Sequence, residues 1–118
     1  MRKNKEKRLF ERIPMPDVQG TVELSETVKP ITVVNASEEG VCISGVWIEE
    51  GSVVRLAIAS HQDIENFSLY CKVAWASGEN EHEKRAGLSF LNTNRILFKQ
   101  DLVSFGKLLQ LVQSQLNP

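Results

Sequence analysis

Two cysteines, two histidines and a single tyrosine in 118 residues leave little material for a metal centre, a disulfide framework or an aromatic stacking surface. Cys42 and Cys71 each lie inside an alternating apolar run, where a reduced thiol packs as a small hydrophobe, so neither a disulfide nor a metal site is expected. His61 and His82 stand apart in polar stretches with no ligand set at metal spacing, and both read as surface residues. There is no nucleophile elbow, no phosphate-binding loop and no dinucleotide fingerprint, and Glu79, Glu81 and Glu83 alternate along a polar loop as a solvated face does. No catalytic residue and no cofactor is therefore expected, and the chain reads as something other than an enzyme. No apolar run reaches the length of a signal peptide or membrane span, so the expected location is the cytoplasm, without membrane insertion.

What the chain does have is one domain's worth of core, with 42% hydrophobic and 25% charged residues, and an uneven distribution of charge. Residues 1–12 hold six Lys or Arg against Glu6 and Glu11, a net charge of +4, while the remaining residues hold eight against thirteen acids, a net charge of −5. A basic arm of this kind attracts anions, whether a nucleotide, nucleic acid or a membrane surface. The acidic remainder and the scarcity of strand aromatics beyond Phe67, Tyr70, Trp75 and Phe90 argue against nucleic acid.

After the arm, the prolines of Ile13-Pro14-Met15-Pro16 exclude helix and predict a linker. Short β-branched runs bounded by Gly, Pro, Asn or Ser follow at Thr21–Ser25, Ile31–Asn35, Gly40–Ser44, Val53–Ile58, Phe67–Trp75 and Arg85–Phe90. Six such runs predict a mostly β fold, a small closed or nearly closed antiparallel barrel. The period then changes. Asn92-Thr93-Asn94 offers N-cap chemistry for a helix running to about Leu116, with a seam of Phe98, Leu102, Phe105, Leu109, Val112 and Leu116. The seam covers the barrel or meets a partner. Leu97, Leu108 and Leu111 widen it and Gly106 permits close approach, which favours at least a weak homodimer through this helix. The expected division is an arm at 1–12, a barrel at 13–92 and a helix at 93–118.

Two motifs carry the chemistry. Arg8-Leu9-Phe10-Glu11-Arg12 places two arginines at i and i+4, each a planar, permanent cation able to grip a phosphate through two hydrogen bonds or lie flat on a purine. Asn35-Ala36-Ser37-Glu38-Glu39-Gly40 brings an amide, a hydroxyl and a glycine to one bend, suited to a small polar ligand at close range. Both patterns in this order amount to about a 1% coincidence at average residue usage. Together they resemble the R-x-x-x-R and [DN]-x-S-x-x-G signatures of the PilZ domain family, bacterial receptor modules for cyclic di-GMP. Val73-Ala74-Trp75 and Gly87-Leu88-Ser89-Phe90 are similar to that family's later strands, extending the resemblance from about Lys7 to Leu91.

The resemblance implies a six-stranded split barrel with a C-terminal α-helix, and a ligand, cyclic di-GMP, held by Arg8, Arg12, Asn35, Ser37 and Gly40. Trp75 is then the aromatic that stacks on a guanine, and a cation at Lys7 favours a stacked pair of ligands over one. Trp47 reads instead as packing. Asn35 in place of aspartate replaces a charged acceptor by a neutral carbonyl, and a lower affinity is expected. The implied function is a receptor or adaptor that orders its N-terminal arm on binding and signals to a downstream protein in motility, biofilm or polysaccharide control. The alternative is a ligand-independent interaction adaptor working through the helical seam.

Overall fold

The computed structural model describes residues 12–16, 18–79 and 83–116. Lys7, Arg8 and most of the arm lie outside the described residues, as does His82. The chain runs β1 (Ile13–Pro14), β2 (Gln19–Leu24), β3 (Thr27–Ser37), β4 (Gly40–Ser44), β5 (Val53–Ile58), β6 (Phe67–Ser77), β7 (Arg85–Phe90), α1 (Thr93–Leu97) and α2 (Lys99–Leu116). The sheet order β3-β2-β5-β6-β7-β4 is closed by a β3–β4 pairing, giving a six-stranded antiparallel barrel. Alternation explains the closure: Val41 and Ile43, Val54, Leu56 and Ile58, and Leu69, Cys71 and Val73 all turn inward to one core.

The segment expected to be only a linker contributes a seventh strand. Ile13 and Pro14 pair with Ala36 and Asn35 at the far end of β3, beyond the stretch of β3 that β2 covers. Pro30 lies inside β3 rather than at its boundary. It falls before the first β4 pair, Thr32 with Ser44, where β3 has a neighbour on the β2 side alone and a proline is tolerated.

The C-terminal helix departs further from expectation. It is broken at Phe98, which takes φ −131° and ψ 47°, into a five-residue α1 and an 18-residue α2. Asn92 is helical and makes no side-chain capping bond. Asn94 is instead fully buried: its Oδ1 accepts the Tyr70 N–H at 3.0 Å and its Nδ2 donates to the Tyr70 carbonyl at 2.8 Å. The side chain thus pairs with β6 as a neighbouring strand would, and anchors the start of the helical segment to the barrel. Asp101, in the first turn of α2, accepts the Ser68 N–H from the same strand. Phe105, Leu108, Leu109 and Val112 are buried and join the barrel core, with Phe105 meeting the rings of Phe67 and Phe90 edge-on. Leu108 therefore belongs to the core face and not to a partner face, while Ile96, Leu97 and Val103 are exposed. No helix among the described residues is long and apolar enough to cross a membrane.

The two thiols have different fates. Cys71 is fully buried in the core, and desolvation pushes its pKa from 9.0 up to about 12. A thiol raised in the folded state stabilises fully below its unfolded pKa and loses that contribution as pH rises toward the folded value. Above pH 9.0 the unfolded chain can ionise this thiol while the native one stays protonated up to about 12. Stability should fall by roughly 1.4 kcal/mol per pH unit across that window from this group. Denaturation profiles of the native protein and Cys71→Ala between pH 8 and 11 check it, the variant losing that part of the slope.

Candidate functional site

Cys42 does not pack in the core as the alternation of its strand had implied. Its neighbours Val41 and Ile43 take the inward positions, leaving Cys42 on the outer wall, nearly covered. The register across four strands then sets a row: Asn35 on β3 pairs with Cys42 on β4, Cys42 with Gly87 on β7, and Gly87 with Trp75 on β6. Adjacent strands lie about 4.8 Å apart, so the row extends roughly 14 Å around the barrel. Bulges between Val33 and Asn35 and between Val73 and Trp75 adjust both ends of it. Ala36 fills the core at one end, which puts Asn35 on the outside.

Arginines stand over the middle of this row. Burial pushes the Cys42 thiol up, and the nearby Arg85 and Arg12 guanidiniums partly offset the rise, Arg85 also by a hydrogen bond to the sulfur. Arg12 Nη1 donates to Asn35 Oδ1 at 2.9 Å, so a residue of the first motif touches a residue of the second directly. The Arg12 Nε is buried without a hydrogen-bond partner among the described residues. A covered guanidinium N–H without an acceptor is costly, and the charge-assisted bond that would satisfy it is of the kind a carboxylate or phosphate oxygen makes. Arg85 was not singled out from the sequence. Its signal was the alternation of Arg85-Ala86-Gly87 around a buried alanine, but only the β4–β7 register brings it to Cys42.

The remaining motif residues divide. Ser37 is buried at the end of β3, and its Oγ accepts the Glu39 N–H at 3.2 Å, closing the turn into β4. Gly40 makes room for the sheet: a Cβ built there would lie 1.9 Å from the Leu88 carbonyl oxygen and 3.2 Å from the Ser89 Cα. Gly40→Ala should therefore separate β4 from β7 and destabilise the fold by about 2 kcal/mol, within the usual range for overpacking, as chemical denaturation would show. Gly87 has a related role toward a side chain, since its Cβ would fall 2.1 Å from Trp75 Nε1. Trp75 lies across the space that glycine leaves and is 38% exposed, whereas Trp47, read from the sequence as packing, projects outward between buried Val46 and Ile48 and is 52% exposed. His61 pairs through its backbone with Ile64 in a tight loop, and among the described residues no group of His, Cys, Asp or Glu could hold a metal.

A closed six-stranded barrel with an arginine and an asparagine joined on its outer wall is the architecture to which the two motifs belong. The chain belongs to the PilZ domain family, which it matches over residues 6–105. It is similar in fold to YcgR from Escherichia coli in complex with c-di-GMP, with 17% identity and a TM-score of 0.69 over 94% of this chain and 50% of that one. The isolated YcgR PilZ domain with c-di-GMP, also from Escherichia coli, gives 14% identity and a TM-score of 0.65, with 95% and 99% covered. The Bacillus subtilis inhibitor of motility MotI/DgrA gives 17% and 0.64, with 94% and 52% covered. The chain thus spans about half the length of YcgR and MotI/DgrA and nearly all of the isolated PilZ domain. No curated protein sequence matches it.

Proposed function

We propose that this domain is a receptor for cyclic di-GMP, binding the dinucleotide on the outer wall of the barrel between the arm and the Asn35-to-Trp75 row. The observation that carries the reading is the Arg12–Asn35 hydrogen bond, which joins the two signature motifs beside an arginine N–H that has no acceptor among the described residues. Arg8 and Arg12 take phosphates and guanine faces, Asn35 takes a guanine edge, and Ser37 and Gly40 hold the turn that presents it. Arg85 supplies a third guanidinium, and Trp75 a ring on which a guanine stacks. Lys7 adds charge beside Arg8, favouring two stacked ligands over one. Binding neutralises the arm's net charge of +4 and closes residues 1–12 over the barrel, replacing a basic tail by a composite surface that a downstream protein reads. Such a receptor acts in the cytoplasm, and motility control is the output that the similarity to YcgR and MotI/DgrA favours. The function is binding and not catalysis.

Tryptophan fluorescence in a Trp47→Phe background tests the reading, because Trp75 is then the sole indole. Titration with cyclic di-GMP should quench it saturably and GTP should not; equal, non-saturating responses to both would reject the reading. In the same background, Gly87→Ala should push the ring off its seat, shift the emission of the free protein, and weaken binding by about 5- to 100-fold, the loss of one stacked base. Thermal stability should change little, since the displaced group is the end of a side chain.

A further inference from the structure

The outer wall is furnished with one kind of polar group. Arginine carries donors and no acceptor, so the contact from Arg12 Nη1 at 2.9 Å fixes which way the Asn35 amide faces. Oδ1 is turned to the guanidinium, and Nδ2 with its N–H bonds lies on the other side of the amide carbon. An oxygen that already accepts from a cation is the poorer acceptor for a second donor. Next in the row, Cys42 has its sulfur taken by a hydrogen bond from Arg85. At the far end Trp75 holds its Nε1–H over Gly87, where a Cβ would come within 2.1 Å of that nitrogen, and an indole N–H only donates. The row Asn35, Cys42, Gly87 and Trp75 therefore presents donors along its length, while its side-chain acceptors, the amide oxygen and the sulfur, each already take a bond from an arginine. Glu38 and Glu39, the acids next along the chain from the second motif's serine, line a groove beside α2 instead.

We propose that Asn35 reads the acceptor edge of a purine, O6 and N7, through its Nδ2 hydrogens, and leaves the N2 amino group of guanine unread. The inference rests on the receptor reading above. Guanine shows O6 and N7 as acceptors on one edge and N1–H and the N2 amino group as donors on another. A carboxylate at this position would suit the second edge, accepting from both donors at once; the amide as Arg12 holds it suits the first. Asparagine in place of aspartate thus turns the reading of the base around, beyond weakening one contact. Base discrimination then passes to the group at the purine's sixth position. Hypoxanthine keeps O6 and N7 and lacks only the N2 amino group, so it satisfies Asn35 as guanine does. Adenine carries an amino group in place of O6 and sets donor against donor.

Calorimetric titration of the native protein and of Asn35→Asp with cyclic di-GMP, cyclic di-IMP and cyclic di-AMP tests this, the three probes differing only in their purines. The native protein should bind the guanine and hypoxanthine dinucleotides within about twofold of each other, and the adenine one about tenfold more weakly or worse, the cost of one mispaired base edge. Asn35→Asp keeps Arg12 on one carboxylate oxygen and frees the other for N1–H and the N2 amino group, so cyclic di-GMP should gain about tenfold over cyclic di-IMP. The variant should fold, because residue 35 is on the outer wall and it is Ala36 that fills the core; the comparison of ligands on the native protein needs no variant at all. In NMR spectra of isotope-labelled native protein, the Asn35 side-chain N–H signals should shift as far with cyclic di-IMP as with cyclic di-GMP. Native discrimination of about tenfold against cyclic di-IMP, or cyclic di-AMP bound as well as cyclic di-GMP, would overturn the proposal while leaving the receptor intact. So would an Asn35→Asp variant that separates cyclic di-GMP from cyclic di-IMP no better than the native protein does. Binding of none of the three by the native protein would end the receptor reading and the proposal with it.

Discussion

Arg12→Ala is expected to weaken cyclic di-GMP binding by at least 100-fold while leaving the barrel folded. The guanidinium donates to Asn35 through one Nη and carries an Nε–H with no acceptor among the described residues, a donor set suited to a phosphate once the side chain turns to meet it. Two charge-assisted hydrogen bonds at about 1.5–3 kcal/mol each would supply that factor or more. The fold should tolerate the loss, because Arg12 precedes β1 and contributes nothing to the apolar core. Lysine should rescue poorly: an ammonium cannot reach Asn35 and a phosphate with one rigid fork. Asn35→Ala should show part of the same deficit, since the amide holds the guanidinium in place. The two losses should fall short of additive when combined, because the residues share a hydrogen bond. Calorimetric titration of the two single variants and the double variant would measure that coupling, and strictly additive losses would mean the contact does not prepare the site.

Asn94→Ala should cost the most stability of any single polar substitution, about 3 kcal/mol. It removes two buried hydrogen bonds, leaves the Tyr70 N–H without its acceptor and opens a small void at the junction of β6 and α1. For a domain of this size the melting temperature should fall by roughly 10 °C. Asn94→Asp should be nearly as severe, since it keeps the acceptor but turns the donor into a buried charge facing the Tyr70 carbonyl. A melting temperature within 2 °C of the native value would show that the helical segment does not depend on this anchor.

Asn94 also marks where the sequence is informative and where it is not. The barrel was legible because each strand obeys a local rule: β-branched residues alternate, and Gly, Pro, Asn and Ser close the runs. The helix was legible as a period. Its break at Phe98 was not, because Asn92-Thr93-Asn94 satisfies capping chemistry in isolation, and only the nearby Tyr70 backbone makes Asn94 a better strand mimic than a cap. Leu108 was read as widening the apolar surface beyond the seam toward a partner; the seam residues Phe105, Leu109 and Val112 keep their phase after the break, and Leu108 is buried beside them because the covered stripe is broader than a coiled-coil seam. The strand at Ile13–Pro14 was hidden by prolines that exclude helix without excluding a short pairing at a strand's free end.

At the site, the motifs identified Arg12, Asn35, Ser37 and Gly40 as residues but not their division of labour. Ser37 is engaged in its own turn and Gly40 in spacing β4 from β7, while the Arg12–Asn35 contact depends on β1 pairing with β3. Arg85 and Cys42 were invisible as partners because they lie 43 residues apart in sequence and meet only through strand register. A pattern of side chains along a strand tells which face each takes. It does not tell what the next strand sets beside it.

The central claim is that the joined motifs form a cyclic di-GMP site. Calorimetric titration of the purified protein with cyclic di-GMP, run beside GTP and beside Arg12→Ala, tests it most directly. Saturable binding at micromolar affinity or tighter, absent for GTP and lost in the variant, is the result expected, and its stoichiometry would show whether Lys7 accompanies one ligand or a stacked pair. No heat at any temperature, with no shift in melting temperature on adding the dinucleotide, would contradict the claim and leave the exposed Ile96, Leu97 and Val103 face as the place to seek a protein partner.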